Sequence, residues 1–195
     1  EIVLVVVGIL IALSINNWNE GRKLKVQEIY ILKGIQQDLV KDTIDINHNI
    51  RTYKDFIKND SILLSHLLNK KDYNPSFVGR FYNAIESDWS IKLHNSSFLE
   101  LNTKGKSLIS NQELGKKINR LYQFDYPYLS DYENNNKLFD HRAVTNELVK
   151  YLKLDSTGLK MSSKDYNKLL SDGNSHYKLA YGVRMKQSLL IKYTK

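Results

Sequence analysis

The sequence predicts an all-α protein: an N-terminal transmembrane helix that continues into an up-and-down helical bundle. Three observations lead there. Residues 2–15 form an uncharged apolar run. Beyond Gly21 the apolar residues recur at helical spacing. Two prolines and 9 glycines in 195 residues are too few for the turns of a sandwich or barrel.

The first element is the run Ile2-Val3-Leu4-Val5-Val6-Val7-Gly8-Ile9-Leu10-Ile11-Ala12-Leu13-Ser14-Ile15. As a helix it is about 21 Å long, short of the roughly 30 Å hydrocarbon core. The segment is therefore expected to extend upstream of Glu1, which places that carboxylate at or within the hydrocarbon, or near the far interface. Asn16-Asn17-Trp18-Asn19-Glu20 makes a polar border, with Trp18 where an interfacial aromatic belongs. Residues 1–19 thus read as a membrane anchor and 20–195 as an extramembrane helical domain. Two other readings exist for such a run. One is a signal-peptide core, with Ala12-Leu13-Ser14 as a small-x-small cleavage site but no basic region before it. The other is a helix buried inside a large protein. Gly8 and Ala12, four apart, form a small-xxx-small pair suited to helix–helix contact in the membrane.

The second element carries Leu32, Ile35, Leu39, Ile46, Ile50, Tyr53 and Ile57, an amphipathic stripe running to about Asn69. A break is expected near Asn59-Asp60-Ser61. Asn74-Pro75 marks a turn, with Pro75 at a helix first position before Phe77, Phe81 and Ile85. Asn95-Ser96-Ser97 should cap a helix through Phe98 and Leu101 that stops at Gly105. Ser110-Asn111-Gln112-Glu113 reads as a capping box, Ser110 at the cap, opening a helix through Leu114, Ile118 and Leu121. Pro127 interrupts or kinks that helix. The next helix holds Leu138, Val144, Leu148 and Leu152. Asp155-Ser156-Thr157-Gly158 reads as a loop, Ser162 with Asp165 as a cap, Gly173 as a stop, and about 175–193 as the last helix. No stretch reads as a strand: Tyr122, Phe124, Tyr126 and Tyr128 alternate, but a helix kink at Pro127 explains them equally well.

Two stretches carry a family resemblance. The first is Glu1-Ile2-Val3-Leu4-Val5, Gly8 to Leu13 and Ile15-Asn16-Asn17-Trp18-Asn19-Glu20. The second is Phe98, Glu100-Leu101, Gly105, Leu108-Ile109, Asn111, Leu114 and Leu121-Tyr122. The chain resembles an uncharacterised family of small single-pass membrane proteins of Gram-negative Bacteroidota. The resemblance implies a single span in the inner membrane, a short basic cytoplasmic segment before it and the soluble part after it, in the periplasm. It carries no catalytic residues.

The formal charge of +8 is uneven. Residues 1–149 hold 19 basic and 18 acidic side chains, whereas 150–195 hold 10 and 3. Lysine supplies 23 of the 29 cations, while readers of base edges favour the arginine fork. Lys178, Arg184, Lys186, Lys192 and Lys195 scatter around the last helix rather than forming one stripe, so no nucleic acid is expected as a partner. A Lys-rich solvated surface is the plainer reading. A periplasmic location is compatible with this charge, because the positive-inside rule governs short loops.

Zero cysteines exclude a disulfide scaffold, a thiolate metal site and a thiol nucleophile. The five histidines, His48, His66, His94, His141 and His176, show no metal-ligand spacing. Asp140-His141-Arg142 reads as a surface pairing. Asp38, Asp42 and Asp45 share one helix face and read as solvated acids. Asp131-Tyr132-Glu133-Asn134-Asn135-Asn136 starts like a calcium loop but puts Asn136 where glycine is required and Arg142 where glutamate is. Neither a nucleophile elbow nor a phosphate-cradling glycine loop occurs. No enzyme activity and no cofactor are therefore expected. The aromatic cluster Tyr122, Phe124, Tyr126, Tyr128 and Tyr132 is the candidate groove for a ligand or partner, with core packing as the alternative. The expected partners are the lipid bilayer and a protein, either another chain or a second copy. The functional expectation is a periplasmic interaction or scaffold module, the alternative a sensory ligand-binding domain.

Overall fold

The computed structural model describes residues 2–80, 84, 90–155 and 158–194, with side chains placed at all of these except 136–141, 154, 155 and 159. The fold is all-α apart from one short hairpin. Helix α1 (Ile2–Leu68) runs 67 residues without a break. From Ile2 to Trp18 every side chain is exposed. An 18-residue window here has mean hydropathy 2.0 with none of it buried, long and apolar enough to cross a membrane. Burial begins at Glu28 and recurs at Ile31, Ile35, Asp38, Asp42, Asn49, Tyr53, Asp60, Leu63 and Leu67, steps of three, four and seven that keep to one helix face. The expected break near Asp60 does not occur. Asp60 points inward to a lysine of the last helix, and the Asn59 side-chain Oδ1 accepts from Arg80 at 2.5 Å, so these polar residues hold tertiary contacts instead of a turn.

The chain forms two compact units. The first combines α1 up to Thr43 with Leu93–Tyr126. Its second segment contains α2 (Ser96–Lys104), a 3₁₀ turn (Lys106–Leu108) and α3 (Gln112–Arg120). Ile31 and Ile35 of α1 pack with Phe98 and Leu101 of α2, then Ile109, Ile118 and Tyr122. Phe98 and Tyr122 stack with ring centroids 4.6 Å apart. Gly105 ends α2 at φ 100, a left-handed conformation that favours glycine. Gly34 lets α1 and α2 meet: a Cβ there would lie 2.6 Å from the Ser97 Oγ.

Residues Leu121–Asp125 form a π-helical turn closed by the Tyr126 amide donating to the Leu121 carbonyl. Pro127 explains it. Proline has no amide and its ring displaces the carbonyl four residues back, so the chain widens by one residue and continues as α4 (Tyr126–Leu148). The helix is carried past Pro127 rather than ended there.

The second unit combines Ile44–Lys92 with the chain from Pro127 on. One core joins Leu63 and Leu67 of α1 to Val144 and Leu148 of α4, Met161, and Tyr166 and Leu169 of α5 (Ser163–Ser171), with Leu179 of α6 (Gly173–Tyr193). A second gathers Tyr53, Leu189 and Tyr193, with Leu129 and Tyr132 partly buried. Asn74 accepts from the Ser76 amide and Pro75 opens a 3₁₀ turn that includes Phe77; Phe81 and Ile85, like Glu1, lie outside the described residues.

Two sequence expectations give way here. Strands occur where none was expected: β1 (Lys153–Asp155) and β2 (Gly158–Lys160) pair antiparallel, with Asp155 opposite Gly158, while Ser156 and Thr157 of the expected loop lie outside the described residues. Three-residue strands are too short to show an alternating pattern. A helix does stop before Gly173, since α5 ends at Ser171, but Gly173 itself starts α6, and Asp172 caps it by accepting from the Asn174 amide at 3.0 Å. Ser162 caps α5 as the spacing with Asp165 predicts, accepting from the Asp165 amide at 3.1 Å.

Candidate functional site

In the first unit, acids of α1 hold the segment that packs on it. Glu28 accepts from the Ser110 amide at 2.8 Å and from its hydroxyl at 2.7 Å. The hydrogen bond from Lys25, then those from Ser110, bring the Glu28 carboxyl down to about 2. Asp38 accepts from the Ser97 amide at 3.1 Å, so it caps α2 from outside that helix. Burial pushes Asp38 up, but the hydrogen bonds of Ser97 and Ser96 outweigh it and leave the carboxyl below its ordinary value. Asp42 accepts from the His94 amide and ring Nδ1, both at 2.8 Å, and from the Tyr126 hydroxyl at 2.7 Å. The solvated-face expectation for Asp38 and Asp42 is thus overturned: they are 4% and 1% exposed. A helix face of carboxylates is tolerated inside because each meets backbone amides that would otherwise lack acceptors.

The capping box is corrected by the same contacts. With Ser110 taken by Glu28, the cap of α3 is Asn111, whose side chain accepts from the Leu114 amide at 3.1 Å. Glu113 pairs with Lys116 instead. Asn95 makes no side-chain cap bond, because Asp38 does that work for α2.

Beside these contacts lies a cleft of about 530 Å³ between α2 and α3. Phe98, Leu101 and Ile109, all buried, give it an apolar floor. Lys106, Ser107, Ser110, Gln112, Lys116 and Asn119 supply its polar lining. The Asn119 Oδ1 is buried without a hydrogen-bond partner among the described residues. Ser110, held by Glu28, fixes one wall, and Lys25 reaches its hydroxyl at 3.4 Å.

The second unit holds its own buried ions. Lys186 of α6 and Asp60 of α1 pair at 2.5 Å, 5% and 1% exposed at their side chains. Burial pushes the Asp60 carboxyl up against the pull of Lys186. Glu147 binds Lys150 and Lys178, whose hydrogen bonds hold it below its ordinary value. Asp172 accepts from the Ser175 and Tyr151 hydroxyls, both at 2.6 Å, which brings it to about 2. Asp45 accepts from the Lys92 amide at 2.8 Å. The Tyr193 hydroxyl donates to Glu133, and Ile91 donates its amide to the same carboxylate. Lysines of the basic tail are therefore engaged: Lys150, Lys153, Lys168, Lys178 and Lys186 in ion pairs, and Lys192 over the rings of Tyr128 and Tyr132. The tail is not simply a solvated face.

The predicted aromatic cluster is divided. Tyr122 and Tyr126 belong to the first unit, Tyr128 and Tyr132 to the second. Tyr122 is a core ring, its hydroxyl pushed up to about 12 by burial and then by Asp42 and Asp38. Tyr126 is tied to Asp42 and likewise pushed up. Phe124 and Tyr128 are exposed, and Tyr132 shares a hydrogen bond of 2.5 Å with Ser188. Gly8 and Ala12 lie on the exposed apolar part of α1, with no atom within 4 Å of a Cβ built at Gly8, and Trp18 stands exposed at its end. The side chains of Asp140 and His141 lie outside those described. No group of three or more His, Asp or Glu among the described residues is placed to hold a metal ion.

The sequence offered no motif for the cleft: Lys106, Lys116 and Asn119 have no recognisable spacing. The one signal was positional, since Phe98, Leu101 and Ile109 fall within the second stretch that carries the family resemblance. No curated protein and no solved structure matches the chain. A family pattern does, over residues 1–173, and the chain thus belongs to DUF6090, a family of unknown function.

Proposed function

We propose that this chain is a membrane-anchored helical protein that works by binding rather than by catalysis. Its span would lie in the inner membrane, with the extramembrane part in the periplasm, where it meets a protein partner or a second copy. One observation carries the reading: the apolar start of α1 has no cover from the described residues, whereas the same helix buries a regular face from Glu28 onward. A core helix would be covered by its own fold; an uncovered run of this length finds its cover in hydrocarbon. The exposed Val26, Tyr30, Val40 and Ile44 share the side of α1 turned away from Ile31 and Ile35, which supports a protein contact there.

The chain has no cysteine, so a single Asn167→Cys at an exposed position of α5 reports topology cleanly. A membrane-impermeant maleimide should label it in spheroplasts, and the protein should stay in the pellet after carbonate extraction. Labelling only after lysis would overturn the orientation, and release by carbonate would overturn the anchor. The cleft between α2 and α3 favours a second reading, a ligand-sensing module, because its volume and its mixed lining suit a small molecule.

A further inference from the structure

We infer that the cleft between α2 and α3 takes an amphiphilic anion that also carries a hydrogen-bond donor. This rests on the second reading above, that the cleft binds a ligand at all. The apolar floor of Phe98, Leu101 and Ile109 calls for a ligand with an apolar body. The polar lining sets the rest. Lys106 and Lys116 stand in it, and no carboxylate does among the described residues. The acids nearby are already engaged: Glu28 by Lys25 and Ser110, and Glu113 by Lys116 in a pair whose side chains are both largely exposed, so that it is weak. A negative head is therefore favoured and a positive one is opposed.

The third requirement comes from Asn119. Its buried side-chain carbonyl oxygen has no donor among the described residues, and a buried acceptor left without one is costly. The oxygen is covered as the side chain stands, so a ligand hydroxyl or amine would satisfy it by drawing the Asn119 side chain into the cleft it lines, and a ligand lacking that group would gain nothing from the turn. The groove lined by Tyr30, Lys33, Gln37, Lys41 and Ser96 on the α1 side of the unit differs in kind, because Asp38 and Glu100 both line it and oppose an anion. The recognised chemistry could come from a free hydroxy acid or from an anionic lipid of the bilayer.

The experiment uses the full chain in phosphatidylcholine nanodiscs, with the methyl groups of Ile109 and Leu101 observed by NMR. The probes are 3-hydroxydecanoate, decanoate, decanol and inorganic phosphate. Saturable shifts are expected with 3-hydroxydecanoate, at least threefold weaker with decanoate and at least tenfold weaker with decanol or phosphate. Lys106→Ala and Lys116→Ala alter exposed side chains and should each weaken binding at least threefold with unchanged circular dichroism. Asn119→Leu should remove the preference for the hydroxy acid over decanoate. In discs containing phosphatidylglycerol, loss of the hydroxy-acid shifts assigns the site to lipid, and their persistence assigns it to a free acid; both support the inference. Equal binding of decanol, or lysine variants that bind like the parent, overturns the ligand class while leaving a binding cleft in place. Silence of every probe at both methyl groups overturns the ligand-binding reading as well.

Discussion

Glu28 shows how one carboxylate closes a tertiary contact. It is a single acid 82 positions from Ser110, yet it receives both the amide and the hydroxyl of that serine. Its carboxyl is held at about 2 in the folded chain, below the ordinary value of 4.5. A depressed carboxyl stabilises the fold fully above the unfolded value and loses that contribution as pH falls through the folded one. Glu28→Gln should therefore lower stability by about 1–3 kcal/mol at neutral pH, the cost of weakening a charged acceptor for buried donors. The gap between the two proteins should close between pH 4.5 and about 2, as read from denaturant melts across that range. None of this could be read locally. Asp38 and Asp42 look like solvated acids because four-residue spacing on a helix is what solvated acids have too. What decides their place is the set of amide donors 52 to 59 positions away, and residue spacing within α1 carries no record of them.

At the scale of elements, hydrophobic period was enough to find the helices and not enough to find their ends. α2 and α3 lie where Phe98, Leu101, Leu114 and Ile118 put them, yet both caps differ from expectation, since Asp38 and Asn111 do the capping. The same limit explains the missing break in α1: Asn59-Asp60-Ser61 has turn-like composition, but Asp60 is drawn inward by its ion pair with Lys186, 126 positions on. The hairpin at β1 and β2 was missed because its strands are too short to carry a pattern. The α1–α2 contact yields a sharper test. Gly34→Ala would ordinarily favour a helix by about 1 kcal/mol. Here the new Cβ would sit 2.6 Å from the Ser97 Oγ and 3.2 Å from its Cβ, so the substitution should destabilise instead. Gly34→Ala in a Ser97→Gly background should recover most of that loss. A double-mutant cycle of thermal melts measures it, and strict additivity of the two substitutions would contradict the close approach.

For the whole molecule, the class of the fold and the apolar start of α1 were legible, and the division into two units was not. That division depends on which segments return to α1, a long-range property. The apolar start itself makes a simple prediction. Because residues 2–18 bury nothing within the protein, deleting them should change the stability of the remainder by less than about 0.5 kcal/mol, the scale of exposed changes. The same deletion should move the protein from the membrane fraction to the soluble fraction, as fractionation and a thermal melt would show together.

The order of segments in the two units also has a consequence for how the chain is made. Ile31 and Ile35 leave the ribosome long before Phe98 to Tyr122, the residues that cover them. At roughly 5–20 residues per second, the interval of about 80 residues leaves that face bare for roughly 4–16 s. The first unit can close as soon as Tyr126 has emerged, whereas the second waits for α6 and Tyr193. Biogenesis is therefore staged, with the first unit able to close while the second half of α1 still presents Leu63, Leu67 and Asp60 uncovered.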